Sequence, residues 1–144
     1  MYINNKNIFF TAEGGIAIRM INKTGAPSVK GYLIVPSQTV DNGFVYQPAD
    51  EADVCGIVYE SGKADGELCL VVIQGKAEIY YNSATTTGLF ARGQVTADGG
   101  TPGHVIAEAV PTSPFSTDKH FLEVGHILQS IGGAGLALTL LHWN

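Results

Sequence analysis

The sequence predicts an all-β protein that folds as a compact β-barrel or β-sandwich with an internal pseudo-twofold repeat. Short runs rich in β-branched and aromatic residues alternate with glycine-rich turns, which is typical of closely spaced strands. No segment shows a sustained period of 3.6 residues, so no long helix is expected. The repeat appears as two matches at a constant offset of 69, between residues 56–61 and 125–130 and between residues 68–73 and 137–142.

The repeat extends upstream at other spacings. Residues 43–49 correspond to residues 103–109, and Lys30-Gly31 corresponds to Arg92-Gly93. Glycines at turns and apolar side chains in strands recur, and no recurring residue indicates chemistry. We therefore predict an N-terminal arm at residues 1–14 and a single β domain at residues 15–144, with repeat halves at about 30–82 and 91–144.

The first strands are defined by alternation and by turn residues. Residues 15–21 alternate in side-chain type, and residues 31–36 form a strand that Pro36 ends or places at a sheet edge. Asn42-Gly43 is a turn signal in front of a strand at residues 44–47.

A hairpin follows, with strands at residues 54–60 and 67–74 around a turn at 61–66. In the predicted register three pairs face each other: Glu60 and Glu67, Cys55 and Val72, and Cys69 and Val58. A turn at Gly75 separates this hairpin from a further strand at residues 77–81.

A polar loop at residues 82–88 is predicted to join the two copies. The second copy contains a flexible turn at 98–103 and a long loop at 110–119, which holds two prolines. Its predicted strands are residues 89–96, 104–109, 121–131 and 136–143.

Two strands are apolar on both faces, at residues 68–73 and at residues 136–141 apart from Thr139. A strand with one face in solvent should alternate, so both strands must be covered on both sides by a second sheet or by a neighbouring subunit. The candidate interface residues lie in the arm and near the end of the sequence: Ile8, Phe9, Phe10, Leu140 and Trp143.

Composition restricts the possible partners. Only 15% of the 144 residues are charged, which favours burial of surface against other subunits. The net charge of −5 and the scattered basic residues argue against a nucleic-acid partner. No signal pattern and no apolar run of about 20 residues is present, so no membrane partner is expected. Cys55 and Cys69 do not face each other in the predicted hairpin and are interpreted as reduced core residues, which suits synthesis in the cytoplasm.

The histidines do not predict a metal site. In a regular strand His120 and His126 share one face, and Glu123 points to the other, so the pair would lack its nearest carboxylate. His104 and His142 lie at repeat-equivalent or terminal positions, and no histidine or cysteine pair has a recognised metal spacing.

Other chemical patterns also have structural explanations. No serine lies in a nucleophile elbow, and the repeat-equivalent Ser61 and Ser130 are expected to bond to turn backbone. The acidic cluster of Asp50, Glu51 and Asp53 is interpreted as a polar loop rather than a paired-acid site.

Aromatic residues give the strongest of these signals. Tyr80 and Tyr81 with Phe90 would suit a sugar-binding platform, although cross-strand packing is the preferred interpretation. We therefore predict no catalytic residue, no cofactor and no enzymatic activity.

The chain resembles a group of structural proteins of tailed bacteriophages that are found near the capsid genes. The resemblance covers most of residues 15–144 and rests on turns and strands. The matching stretches are residues 24–26, 28–31, 56–62, 65–66, 71–78, 123–130 and 141–144. In layout the chain is also similar to capsid decoration, or head cement, proteins.

The resemblance implies a decoration protein on the outside of an icosahedral head, made in the cytoplasm of the bacterial host. Such proteins have β-barrel or β-clip-like folds and an extended N-terminal arm, commonly form homotrimers, and clamp the major capsid protein. On this sequence the arm would be residues 1–13, which carry an apolar Ile8-Phe9-Phe10 where a polar, proline-rich stretch is usual.

Two alternatives remain open. The first is another head or tail structural subunit, such as a tail-tube or head–tail joining protein. The second, of a different class, is a carbohydrate-binding or adhesin module that uses Tyr80, Tyr81 and Phe90.

Overall fold

A computed structural model describes residues 7–109 and 122–143, and within them the fold is all-β, as predicted. The predicted loop at 110–119, His120 and the first six residues of the arm lie outside the described residues. The strands are β1 (Ile8–Phe10), β2 (Gly15–Asn22), β3 (Leu33–Pro36), β4 (Gly43–Tyr46), β5 (Gly56–Val58), β6 (Leu68–Tyr81), β7 (Phe90–Gly93), β8 (Val105–Glu108), β9 (Glu123–Ile127) and β10 (Gly135–Leu141). A short 3₁₀-helix spans Thr96–Asp98, and no helix in the described part is long and apolar enough to cross a membrane.

Hydrogen bonding closes the strands into two rings that share β6. The first ring runs β2-β4-β3-β5-β6 and returns to β2, and the second runs β6-β8-β7-β9-β10 and returns to β6. Each ring has one parallel contact, β2 with β4 or β6 with β8, and its other contacts are antiparallel. These parallel contacts span only one or two residue pairs, so neither ring is a regular barrel. The predicted pseudo-twofold repeat is confirmed as two rings of equivalent topology.

The shared strand corrects two predictions. Residues 68–74 of β6 pair with β2 and β5, and residues 76–81 pair with β10 and β8. Gly75 therefore lies inside one continuous strand and does not form a turn, and β6, not the loop at 82–88, joins the repeats. The φ of Gly75 is +85°, and a Cβ there would lie 2.6 Å from the Gly14 carbonyl oxygen, so only glycine fits where the strand passes from one ring to the next.

A buried hydroxyl occurs at equivalent places in the two rings, in the loop before β3 and in the loop before β7. Ser28 Oγ donates to the Glu60 carbonyl oxygen at 2.6 Å, and Thr85 Oγ1 donates to that of Gln129 at 2.8 Å. Each hydroxyl also accepts a backbone N–H from the facing loop, from Lys63 at 3.0 Å and from Ile131 at 3.1 Å respectively. Sequence comparison missed this equivalence because serine and threonine differ and the offset here is 57.

The two serines predicted to bond to turn backbone do so at equivalent places. Ser61 Oγ accepts the Lys30 N–H at 2.8 Å, and Ser130 Oγ accepts the Thr87 N–H at 3.0 Å. These bonds correct the match between Lys30-Gly31 and Arg92-Gly93. The counterpart of Gly31 is Gly88, whose N–H bonds to the Ile127 carbonyl oxygen as that of Gly31 bonds to Val58. Phe44 likewise corresponds to Val105, since they accept the equivalent N–H groups of Lys23 and Asn82, so the match of residues 43–49 with residues 103–109 was wrong by one residue.

Gly56 and Gly125 occupy equivalent surroundings. Each precedes a residue paired with the last strand of its ring: Ile57 faces Val72, and His126 faces Leu140. Val72 therefore corresponds to Leu140, and the sequence match of residues 68–73 with residues 137–142 was wrong by one residue. A Cβ on Gly56 would lie 3.0 Å from the Val72 carbonyl oxygen, and one on Gly125 would lie 2.2 Å from that of Leu140. The recurring glycine thus reflects a close backbone approach in both rings.

The predicted hairpin register was wrong by two residues. The structure pairs Ile57 with Val72 and Val58 with Val71, and the Tyr59 N–H bonds to the Leu70 carbonyl oxygen. The loop after β5 is bonded to other segments, since Gly62 donates to the Ser28 carbonyl oxygen and Gly66 to that of Asn22. Because these hydrogen bonds tie the loop to Ser28 and Asn22, the loop is not the simple hairpin turn that was predicted.

Buried apolar residues form two clusters. The smaller belongs to the first ring and consists of Ile34, Phe44, Val58, Cys69 and Val71. The larger unites both rings and includes Ala17, Leu33, Ile57, Val72, Ile79, Tyr81, Val105 and Ala137. Adjacent residues Val71 and Val72 belong to different clusters, so both faces of β6 are buried at this point. The prediction fails at the start of the stretch, where Leu68 is 50% exposed, and Leu70 and Ile73 are only partly buried.

The equivalent expectation fails for β10 within the described chain. Ala137, Thr139 and Leu141 are buried, whereas Leu140 is 43% exposed on the opposite face. Thr139, the one polar residue of this strand, is completely buried, and its hydroxyl is satisfied there by the Tyr81 hydroxyl at 2.7 Å.

Gly125→Ala should destabilise the protein, because the new methyl group would meet the Leu140 carbonyl oxygen. We expect a loss of about 1–3 kcal/mol in the free energy of unfolding, measured by urea denaturation. The control is Gly133→Ala, since a Cβ at Gly133 has no atom within 4 Å. Equal stability of the two variants would contradict the close approach.

Candidate functional site

The predicted interface residues of the arm have different environments. Phe10 is 85% exposed and Ile8 is 45% exposed, whereas Phe9 packs against the larger core cluster. The Arg19 guanidinium lies 4.8 Å from the centre of the Phe9 ring. Phe9 therefore anchors β1, while Ile8 and Phe10 are presented to solvent.

β1 is also the strand with an unpaired edge. It pairs only with β2, whereas each of the other strands in the described part of the chain has at least two partners. An open groove of about 570 Å³ lies beside it, lined by Asn7, Ile8, Ile18, Arg19, Asn42 and Leu68. Leu68 adds a second exposed apolar side chain, at 50%. A free strand edge beside exposed apolar groups is a ready surface for another chain.

The two predicted interface residues at the other end of the sequence also differ. Trp143 packs against the larger core cluster, and its Nε1 donates a hydrogen bond to the Ile73 carbonyl oxygen at 2.7 Å. Trp143 thus fastens the chain after β10, whereas Leu140 is exposed.

The exposure of Leu140 follows from the repeat. In the first ring a row of paired residues, Ala17, Val72, Ile57 and Leu33, is buried in the cluster that unites the rings. The equivalent row of the second ring is Lys76, Leu140, His126 and Phe90. Only Phe90 is buried in that row, because the second ring covers the first, whereas within residues 7–109 and 122–143 no further ring covers the second.

The aromatic residues do not form the platform considered from the sequence. Tyr81 and Phe90 are buried, at 0% and 1% exposure, so neither ring can stack on a sugar. Tyr80 instead joins a half-buried cluster with Tyr32, Tyr46 and His104, whose ring centres are 4.8 to 5.5 Å apart in the pairs that involve Tyr32.

This aromatic cluster links the two rings. Tyr32 and Tyr46 belong to the first ring, and His104 immediately precedes β8 of the second. The Tyr32 hydroxyl lies 2.9 Å from His104 Nε2, and the Tyr46 hydroxyl accepts the Val29 N–H at 3.0 Å. Burial lowers the pKa of His104 and raises that of Tyr32, so both groups are neutral at pH 7. The cluster has the character of packing and not of acid–base machinery.

The acidic loop has a structural role. The Asp50 carboxylate accepts hydrogen bonds from the Thr96 N–H at 3.1 Å and from its hydroxyl at 2.5 Å. The side-chain amide of Gln47 donates to the Glu51 carbonyl oxygen. The bonds of Asp50 tie the first ring to the segment after β7, and the Gln47 bond holds the acidic loop itself, so neither arranges two carboxylates for catalysis.

A buried arginine is the main charged group of the second ring. Arg92 is 2% exposed and contacts Asp98 at 2.7 Å and Glu108 at 2.9 Å. Burial opposes the charge, but the hydrogen bonds with these two carboxylates hold the pKa of Arg92 above its ordinary value. Its charged role had no sequence signal, because the two carboxylates lie six and sixteen positions away in the chain.

Glu123 and His126 lie on the same side of β9, whereas the sequence predicted that they point to opposite faces. β9 pairs Gly125 with Ala91 and Glu123 with Arg92, so Val124 is an extra residue that forms a β-bulge. The bulge brings Glu123 to the side of His126, where a regular strand would separate them. Glu123 Oε1 lies 3.8 Å from His126 Nε2 and 3.4 Å from His142 Nδ1.

Comparisons with known proteins show that this fold occurs among solved structures. No family model and no curated protein matches the sequence. The chain is similar to the crystal structure of the head fibre gp8.5 N base of bacteriophage phi29, with a TM-score of 0.59 and 12% sequence identity. The match covers 88% of this chain and 92% of that one, so the two share a fold over nearly their full described lengths.

Both cysteines are free thiols, and burial raises the pKa of Cys69 and that of Cys55, the latter to about 11. Because the thiolate is the reactive form, Cys55 should react with Ellman's reagent at pH 8 about 100-fold more slowly in the folded protein than in guanidinium chloride, and Cys69 should also react more slowly in the folded protein. Immediate reaction of either thiol in the folded protein would contradict this prediction.

Proposed function

We propose that this chain is a non-enzymatic structural protein of a bacteriophage virion, located on the outer surface of the head. The fold shared with the base of a phage head fibre is the observation that supports this role. At 12% identity the likeness concerns the fold, and the role is our inference from it together with the exposed surfaces. Binding to the major capsid protein and assembly as a homotrimer are further parts of the proposal.

The surface proposed to contact the head is the free edge of β1 with Ile8, Phe10 and Leu68. Backbone groups on a strand edge can pair with an added strand, and alternate side chains then supply apolar contacts. Phe10 is the natural anchor, because a phenylalanine exposed to 85% gains most by burial. Many copies on one particle would add such contacts together.

The surface proposed for self-association is the uncovered row of the second ring. Leu140 is exposed at its centre, and Leu128 is 41% exposed at the end of the adjacent strand. In the first ring the equivalent row is covered by a folded neighbour of the same topology. A second copy of the chain therefore suits this face.

The alternatives have less support. No observation here favours a tail-tube or head–tail joining subunit over a head protein. The carbohydrate-binding alternative loses its proposed platform, because two of its three aromatic residues are buried.

Phe10→Asp should leave the fold intact and weaken binding to phage heads at least about tenfold, since it places a charge where an apolar anchor is needed. The measurement is co-sedimentation of the purified chain with heads of the phage that encodes it. Ser83→Asp, in an exposed loop, is the charge-matched control.

The same heads should be imaged by electron microscopy after addition of the wild-type chain. Extra density on the outside of the head, absent with Phe10→Asp, would support the proposal. Density on the tail alone, or equal binding by Phe10→Asp and Ser83→Asp, would contradict it.

Leu140→Asp should fold and remain monomeric, whereas the wild-type chain should sediment as a trimer. The aspartate can reach solvent because position 140 is 43% exposed in the single chain, so its cost falls on association rather than on folding. Analytical ultracentrifugation and circular dichroism measure the two properties. A monomeric wild-type chain, or a trimeric variant, would rule out association through this face.

A further inference from the structure

We infer that Glu123, His126 and His142 form a binding site for one divalent transition-metal ion, of which Zn²⁺ is the best representative. Their ligand atoms all lie within 4.8 Å of one another. This inference rests on the geometry of these three side chains and is independent of the proposed virion role.

The backbone brings the three residues together by two separate features. The β-bulge at Val124 turns Glu123 toward His126, and the Val124 carbonyl oxygen accepts the His142 N–H at 2.9 Å. His142 follows β10 directly, so it meets β9 at the point where the bulge lies. The imidazole rings of His126 and His142 are stacked with their centres 5.2 Å apart.

The distances suit a tetrahedral ion. Two ligands that are each bound at about 2.0–2.1 Å in a tetrahedron lie about 3.3 Å apart. The distance from Glu123 Oε1 to His142 Nδ1 is 3.4 Å, and the distance to His126 Nε2 is 3.8 Å. Small rotations of the exposed imidazoles would therefore complete the geometry without movement of the backbone.

The ligand types select the class of ion. Two imidazoles with one carboxylate suit zinc and other transition ions, whereas calcium and magnesium prefer oxygen ligands alone. The Glu123 side chain is only 5% exposed and is held in place, while those of His126 and His142 are 51% and 44% exposed. The ion would thus lie at the surface, with a coordination position open to water or to a group from a neighbouring molecule.

The site lies on the uncovered face of the second ring, where a bound ion would affect stability. His126 is paired with Leu140 in the uncovered row of the second ring, and the first-ring equivalent of His126 is the buried Ile57. An ion there would bridge β9 to the segment after β10, which no strand pairing holds. Binding should therefore stabilise the folded state as well as create a coordination point on the exposed face.

The test uses the full-length chain after removal of metal with EDTA. Isothermal titration with Zn²⁺ should give one ion per chain, and Co²⁺ should give the intense visible absorption of a tetrahedral complex. His126→Ala and His142→Ala should each weaken Zn²⁺ binding at least about tenfold. His104→Ala, which removes a histidine from the aromatic cluster, should leave it unchanged.

Glu123→Gln separates a built site from an accidental pair of surface histidines. It should weaken Zn²⁺ binding at least about tenfold and abolish the zinc-dependent rise in melting temperature, with both imidazoles still present. If this variant does not fold, the two histidine variants decide the question, because both side chains are largely exposed. No saturable binding up to about 1 mM Zn²⁺, or equal binding by wild type and the double variant of His126 and His142, would overturn the inference.

Discussion

The structure depends on the requirement that one strand complete two rings. β6 has 14 residues and provides hydrogen-bonding edges to β2 and β5 in its first part and to β8 and β10 in its second. Its side chains enter both core clusters, with Val71 in one and Val72 in the other. β6 is the last strand of the first ring and also the first strand of the second. Neither ring can therefore complete its strand pairings without β6.

The repeat is conserved in its backbone contacts and changed on its outer faces. The hydroxyls of Ser28 and Thr85 make the same buried bonds, and Gly56 and Gly125 allow the same close approach. By contrast, Ile57 is buried in the first ring, whereas its counterpart in the second ring, His126, is exposed. Contacts internal to a ring are therefore preserved, whereas surfaces differ according to what covers them.

Sequence reasoning predicted the fold class and the repeat for a physical reason. Glycine is required wherever two backbones approach closely, so Gly56 and Gly125 remained visible as a pair. The same reasoning misread Gly75, because a glycine within a continuous strand has the same appearance as one in a turn. The hairpin register was also out of reach, since it depends on bonds from distant Ser28 and Asn22 to the loop after β5.

The candidate site was less predictable than the fold. A β-bulge at Val124 has no sequence signature, and without it Glu123 appears to point away from His126. Leu140 was expected to be covered but is exposed, because in the described part of the chain nothing covers the second ring as the second ring covers Val72 of the first. The useful signal was the repeat itself, because a polar residue aligned with an apolar one marks a surface whose neighbour has changed.

β10 pairs with β9 as β6 pairs with β5, so the strand connections of one ring can in principle be followed by those of another. β6 starts the second ring with residues 76–81, so a third unit would require β10 to be extended beyond Leu141 by a comparable segment. Concatenation of this kind would lengthen the molecule in one direction while repeating the same strand connections. The protein can therefore be viewed as a two-unit segment of an extendable chain of rings.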